Sequence, residues 1–351
     1  PRAIRDVYKR QIMELGIGMF GDVSLDTKTG KYRDASVKLN EILEQVKLMD
    51  QVGLDVFAMG EHHRADYAVS SPEILLAAAA SITNNIKLAS GVTVLSSSEP
   101  VKVYEDFAMI DLISKGRAEI FVGRGSFIES FPLYGYDLSD YNQLFEEKLD
   151  LLLKINNEEN VSWSGILRRP MENQTVYPRA FNNGVLPIWI AVGGTPESVL
   201  RAAKLGLPLI VAIIGGMPRQ FKNLIDFYKQ EYLRAGHDES KMQIAIHSHT
   251  FVSDDQNVID QYFFNYKSQM DRIGRTRGWA PYTKEQYEGG RSKDGALFIG
   301  TANEVADKIN EMKELFGLTR FIGHMDVGDP AHDVMMKSIQ LFGDKIAPQV
   351  R

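Results

Sequence analysis

The stretch LDVFAMGEHHRADYAVSSPE (54–73) climbs through an apolar run to Gly60 and then presents Glu61, His62 and His63 in succession. Neighbours in an extended chain point opposite ways, so only one of the two imidazoles faces a given small ligand. The other packs outward or bonds Glu61. Histidine suits acid–base work because its unperturbed pKa lies near neutrality; a pair satisfied by loop backbone is the plain alternative. In VGRGSF (122–127), Arg124 stands between two glycines. Glycine lets backbone N–H groups approach an anion, and arginine clamps phosphate with two donors. This is no dinucleotide fingerprint, because Ile128 occupies the third glycine position, and a simple tight turn fits equally well. VGGTPES (192–198) places Thr195 at an N-cap and Pro196 at the first helical position, with Gly193 and Gly194 leaving the oncoming amides bare. Such a helix start binds phosphate, unless it is only a structural cap. In IAIHSHTF, His247 and His249 share one face of a strand, and His324 and Asp326 of GHMDVG could join them around a metal. No spacing here is diagnostic of a metal, so none is expected; these residues read better as the lining of a polar pocket.

Strands and helices must bring these fragments together. The 351 residues are 44% hydrophobic and 25% charged, as in a globular protein. The net charge of −6, with no Lys/Arg cluster in the body of the chain, argues against a nucleic-acid partner. Absence of cysteine excludes disulfides, thiolate metal sites, iron–sulfur clusters and a cysteine nucleophile. No apolar run is long enough to span a bilayer, and the expected location is cytoplasmic. The opening segment PRAIRDVYKRQI carries Arg2, Arg5, Lys9 and Arg10 and lacks a secretory apolar core. Residues 1–12 are expected to be adapter-derived rather than native, with a short basic transit peptide as the alternative. Residues 13–351 are expected to form one domain.

From Met13 onward, apolar runs near 13–20, 54–59, 86–95, 117–125, 187–194, 207–216, 242–252 and 318–328 alternate with segments of helical period. Leu39, Ile42, Val46 and Met49 form one helical stripe, and Val305, Ile309, Met312 and Phe316 another. Strands apolar on both faces, separated by amphipathic helices, imply a parallel sheet covered on both sides. Eight such units predict a TIM (β/α)8 barrel with insertions after strands 4 and 7; an open doubly wound sheet is the rival. The polar groups cluster where strands end, on the face where barrels build their sites.

Taken in order, EHH, SGVTVL (90–95), LISKGRAEIFVGRGS (112–126), PIWIAVGGTPESVLRAAKLGLPL (187–209), LFIGTANEVADKI (297–309) and MKSIQLFGDKIAP (336–348) resemble bacterial luciferase and its flavin-dependent monooxygenase relatives. The likeness covers the chain from Met13 to its end and rests on order and spacing, since no single motif would suffice. It implies FMN in the C-terminal cleft of the barrel, used in reduced form with dioxygen to oxygenate a small organic substrate. Position by position, it makes His62 the catalytic histidine and Gly91–Val92 a cis peptide beneath the flavin ring. It also places Arg124 on the FMN phosphate, with Gly193, Gly194, Thr195 and Ser198 as the other half of that cradle. Glu61, Gly125 and Ser126 are expected to complete the cofactor-binding set. A separate NAD(P)H:flavin reductase would supply reduced flavin, and relatives of this kind imply a homodimer built through barrel helices.

The chain departs from luciferase proper. Gly123 stands where the light-emitting enzyme has a reactive cysteine, Gly193 replaces an acidic phosphate-loop residue, and SFIESFPLYGYD (126–137) differs. Light emission is therefore not expected. The competing functions are a deazaflavin-dependent hydride transfer, a metal-dependent hydrolase using His247, His249 and His324, and a non-catalytic flavin-binding protein. Specificity is expected to lie in 125–136, 161–186 and 276–298.

Overall fold

The computed structural model describes residues 12–351; the expectation of a non-native extension falls, save for Ile12, outside the described residues. Eight strands form the barrel: β1 (Glu14–Met19), β2 (Val56–Met59), β3 (Lys87–Ser90), β4 (Ala118–Gly123), β5 (Ile188–Val192), β6 (Leu209–Ala212), β7 (Ile244–Val252) and β8 (Arg320–His324). Each pairs in parallel with its neighbour, β4 joins β5, and β8 returns to β1, which closes the cylinder. The expected TIM barrel is what forms, and the open sheet is excluded by the β8–β1 pairing.

The period-2 alternation of each strand sorts side chains between two cores. Val56, Ala58, Ala89, Phe121, Trp189, Ile210 and Ile322 fill the barrel interior. Phe57, Leu88, Ile120, Ile190 and Phe321 face outward into the larger core beneath the helices. These helices are α1 (Ala35–Gln51), α2 (Pro72–Ile82), α3 (Pro100–Ser114), α4 (Tyr141–Asn157), α5 (Pro196–Leu205), α6 (Lys222–Arg234), α7 (Gln256–Arg277), α8 (Ala302–Phe316) and α9 (His332–Leu341). The predicted stripes are in place: Ile42, Val46 and Met49 of α1 and Val305, Ile309, Met312 and Phe316 of α8 are buried.

Two departures from the sequence reading matter for the site. The third strand stops short of its expected end: it is interrupted at Gly91–Val92, whose peptide is cis as the resemblance implied, and resumes only at Thr93–Val94, which pairs with β4. The polar stretch after β4 is not mere loop, because Asn160–Trp163 and Met171–Thr175 pair antiparallel. The insertion after β7 supplies α7, a second helix Lys284–Arg291 and a strand Phe298–Gly300 that extends alongside β7.

The lower end of the barrel is closed electrostatically. Buried Arg320 donates to Glu119 Oε2 at 2.6 Å and to Glu14 Oε2 at 2.8 Å, with its guanidinium 4.2 Å from the Trp189 ring centroid. Burial pushes Glu119 toward its neutral form, but Arg320 outweighs it and holds the carboxyl below its ordinary value. Arg320→Met strands Glu119 as a buried charge without its bidentate partner. It should cost about 3–5 kcal/mol of unfolding free energy in chemical denaturation, the usual penalty for breaking a buried pair. A loss under about 1 kcal/mol would assign the pair to the class of solvent-screened bridges.

Candidate functional site

At the opposite end, where the strands finish, a cavity of about 600 Å³ opens among the loops. That is the size of a small-molecule or cofactor pocket. β2 ends at Met59, and Gly60–Glu61 carry the chain to His62, whose ring turns into the cavity wall. It lies 4.2 Å from the Tyr67 ring and meets Phe20 and Phe127 edge-on at 4.6 and 4.7 Å. Neither ring nitrogen has a hydrogen-bond partner among the described residues, although both are buried. Burial, aided by repulsion from His324, pushes its pKa down to about 3, so the ring is neutral. His63 turns the other way and shares a 2.8 Å hydrogen bond with Glu61 Oε1. Glu61 Oε2 accepts the Val94 N–H at 3.1 Å. Glu61 thus lines the cavity while its carboxylate ties the loop after β2 to the broken third strand.

The ends of β3, β4 and β5 form the second wall. Gly91 and Val92 line the cavity through their cis peptide. Arg124 donates to Asn142 Oδ1 at 2.7 Å and to Thr195 Oγ1 at 3.2 Å, and its guanidinium lies 5.4 Å from the Tyr141 ring centroid. The loops after β4 and β5 therefore touch. Thr195 occupies the N-cap position of α5, but its hydroxyl serves Arg124 and makes no bond to the helix. The first amides of α5 are left without a side-chain cap, and Glu197 is exposed. Gly125, Ser126, Gly193 and buried Ser198 line the same wall. Gly125 holds a φ of +76°, and a Cβ there would meet Val94 Cγ1 at 2.9 Å. Gly194 is not a lining residue; it turns the chain with a φ of +126°. Pro196 has no N–H and the Ser198 and Val199 amides reach the Thr195 carbonyl at 3.1 and 3.3 Å, so the guanidinium beside a helix start without a side-chain cap is the stronger half of this chemistry for a phosphate.

The third wall comes from β1, β7 and β8. His247, His249 and His324 all line the cavity. His247 Nε2 lies 3.1 Å from His324 Nδ1, and His249 Nδ1 lies 2.8 Å from the Tyr266 hydroxyl. Asp326 accepts the backbone N–H groups of Phe20 at 3.0 Å, Gly21 at 2.8 Å and Asp22 at 3.3 Å. The ammonium of buried Lys38, on α1, lies 3.7 Å from Asp326 and 3.1 Å from Asp329. Burial works against the Lys38 charge, but these two carboxylates hold it in place. Burial and then Asp326 push the Asp22 carboxyl well above its ordinary range. Asp22, His324 and Asp326 offer ligand atoms within 4.8 Å of one another, close enough to surround a divalent ion. Lys38 already supplies the cation, and backbone amides fill the lone pairs of Asp326, so this donor set fits a structural lock better than a metal.

The two residues of α4 that support Arg124 were not anticipated from sequence, whereas the mouth residues below fall in the segments 125–136 and 276–298 expected to set specificity. Asn142 and Tyr141 of α4 orient Arg124 and hold the Gly125 carbonyl (2.6 Å from the Tyr141 hydroxyl). Phe127, Arg277 and Trp279 form the mouth, with the Arg277 guanidinium 5.1 and 5.2 Å from the two ring centroids. Lys38, buried behind the cavity against Asp326, was also missed, although a legible signal existed: it sits four residues before Ile42 on the apolar stripe of α1.

Known proteins share this architecture. Residues 13–319 match the family model described as luciferase-like monooxygenase. Among solved structures, the chain superposes on monooxygenase RslO1 of Streptomyces bottropensis with a TM-score of 0.82 at 21% identity, covering 96% of this chain and 99% of that one. The FMN complex of the oxygenating constituent of 3,6-diketocamphane monooxygenase from Pseudomonas putida gives 0.74 at 20%, with 97% and 99% covered. The coenzyme F420-dependent tetrahydromethanopterin reductase of Methanopyrus kandleri gives 0.72 at 18%, again with 97% and 99% covered. These three likenesses speak for the fold.

A buried ring with a pKa near 3 has a direct signature. The His62 ring resonances in NMR should stay in the neutral form from pH 8 down to pH 5. Because the unfolded ring takes up a proton near pH 6.5, His62 should lower stability as pH falls below that value, by up to about 1.4 kcal/mol per pH unit until the folded pKa is reached. Titration of His62 near pH 6.5 would contradict the burial argument.

Proposed function

This chain belongs to the luciferase-like monooxygenase family, and on that premise we propose that it binds FMN in this cavity and oxygenates a small organic substrate with dioxygen. The observation that carries the reading is the contact between Arg124 and Thr195 on one wall, facing the unpartnered ring of His62 in the same cavity. The residues present fit the group. Arg124, Thr195, Ser198 and the first amides of α5 would hold the phosphate, with Gly125, Ser126 and Gly193 giving it room. Gly91 and Val92 would support the ring, while Glu61 fixes the loop beneath it. Reduced FMN, when bound, supplies the electrons that activate dioxygen for transfer of one oxygen atom.

The protein's own contribution is placement, proton control and exclusion of water. His62 holds one proton on its ring and offers the second nitrogen as an acceptor, and the surrounding Phe20, Tyr67 and Phe127 keep that edge dry. Reduced flavin would come from a separate NAD(P)H:flavin reductase. Among the described residues no helix is long and apolar enough to cross a membrane; the proposed location is the cytoplasm. Exposed Ile74 on α2 and Met109, Leu112 and Ile113 on α3 favour a homodimer across those helices.

The cofactor assignment is tested by flavin fluorescence. Arg124→Ala should weaken FMN binding by about 1.5–3 kcal/mol, the value of a lost charged hydrogen bond, or roughly tenfold to a hundredfold in affinity. His62→Ala should keep FMN affinity and abolish oxygen-consuming turnover. An Arg124→Ala protein with unchanged affinity, or turnover that survives His62→Ala, would contradict the assignment. A wild-type protein that ignores FMN but binds a 5-deazaflavin would favour hydride transfer instead. Sedimentation at micromolar concentration should return a dimer, and Met109→Lys together with Ile113→Lys should yield monomer; a wild-type monomer would refute the interface.

A further inference from the structure

The proposed role of His62 leaves the opposite histidines unused. Asp326 is an acceptor, occupied by three backbone amides and held beside Lys38. His324 Nε2 lies 3.3 Å from Asp326 Oδ1, which favours a proton on that nitrogen. In a neutral His324 ring, Nδ1 then carries a lone pair. The 3.1 Å contact with His247 Nε2 requires the proton of that contact to sit on His247. His247 Nδ1 is left as a bare acceptor on a cavity-lining residue, with no partner among the described residues. A Cβ on Gly18 would come within 2.9 Å of His247 Nε2, so glycine in β1 is what admits the ring at this depth.

We propose that His247 is a second catalytic residue, a base that takes a proton from an acidic hydroxyl of the substrate, and that His324 and Asp326 are its positioning residues. The step is a proton transfer without change of oxidation state. The substrate O–H bond breaks and an N–H bond forms at His247 Nδ1. The Nε2 proton of His247 passes to His324 Nδ1, and the resulting imidazolium rests against the Asp326 carboxylate. The substrate remains as its oxyanion.

The same chemistry selects the substrate class. An imidazole relay removes protons from donors of comparable acidity, which a phenol or enol approaches and an aliphatic alcohol does not. The walls of this corner are apolar and ring-shaped: Phe20 meets His324 edge-on at 4.1 Å and His247 at 6.1 Å, with Met270, Ile273 and Val327 alongside. The other ionisable groups here are His62 from the loop after β2, Asp22 from the loop after β1 and His249 on β7. Burial and Asp326 favour the protonated Asp22 carboxyl, and burial favours the neutral form of His62, His249 and His247 alike; His247 differs because its contact with His324 lets the proton pass on to a ring backed by Asp326. The substrate is thus a phenol or enol on a flat apolar body. Its oxygenation after deprotonation rests on the monooxygenase reading, whereas the proton transfer itself does not.

The probe is 4-nitrophenol, whose phenolate is yellow, compared with 4-nitroanisole, which has no proton to give. Both are titrated into wild-type protein with and without FMN, and into His247→Gln and His324→Gln. Wild type should bind the phenol at least about tenfold more tightly than the anisole and should turn the bound probe yellow at a pH where the free probe is colourless. His247→Gln should lose both effects. His324→Gln should still bind the phenol but lose the yellow form, which a merely structural residue would not do. Equal affinity for phenol and anisole, or a yellow complex that survives His247→Gln, would overturn the proposal. So would a His247→Gln protein that loses FMN affinity yet keeps its preference for the phenol, because Nδ1 would then serve the cofactor. Should His247→Gln fail to fold, the wild-type comparison and His324→Gln decide the matter. Failure of wild type to bind FMN overturns the cofactor reading alone, since the titration without FMN stands separately.

Discussion

One buried carboxylate organises the upper end of this barrel. Asp326 lies just beyond β8, yet it gathers the amides of Phe20, Gly21 and Asp22, some 305 residues earlier in the chain. It draws Lys38 in from α1 and faces His324. Phe20, placed by that grip, packs against His62 and His324. Removing the carboxylate would free the β1 loop, leave Lys38 with fewer counter-charges and release the edge that keeps His62 dry. Buried amides and a buried ammonium demand such a partner, because unpaired they would cost several kcal/mol.

The cavity is consequently polarised. Its β4–β5 side carries a guanidinium, a threonine hydroxyl and an uncapped helix start, all suited to negative charge. Its β7–β8 side carries imidazoles whose charge is suppressed by burial. An elongated molecule with an anionic tail and a flat uncharged head meets both demands in only one orientation. The cation–aromatic stack of Arg277 on Phe127 and Trp279 stands at the mouth, on elements contributed by the two insertions. The rigid barrel and the variable rim are therefore different parts of the chain, as expected where one scaffold serves many substrates.

Much of this was legible in the sequence because it is local. Each strand is a short apolar run and each helix an apolar stripe, so eight alternations predict the barrel without knowledge of any contact. The glycine, arginine and histidine clusters also sit within a few residues of a strand end, which assigns them to one face. What was not legible is long-range. Nothing near Arg124 announces Asn142 as its partner, Thr195 was brought to it only by the family resemblance, and nothing near Asp326 announces the amides of the β1 loop. The antiparallel pair at Asn160–Trp163 and Met171–Thr175 escaped because the alternation of the first strand spans only four residues and the second is almost wholly exposed. The end of the third strand was overrun because a cis peptide leaves no mark on hydrophobic periodicity.

The most direct test is a crystal structure of the FMN complex. The account predicts density for the phosphate against Arg124, Thr195 and the start of α5, with the isoalloxazine ring over Gly91–Val92 and its reactive edge toward His62. FMN bound elsewhere, or seated with its phosphate among His247, His249 and His324, would contradict it.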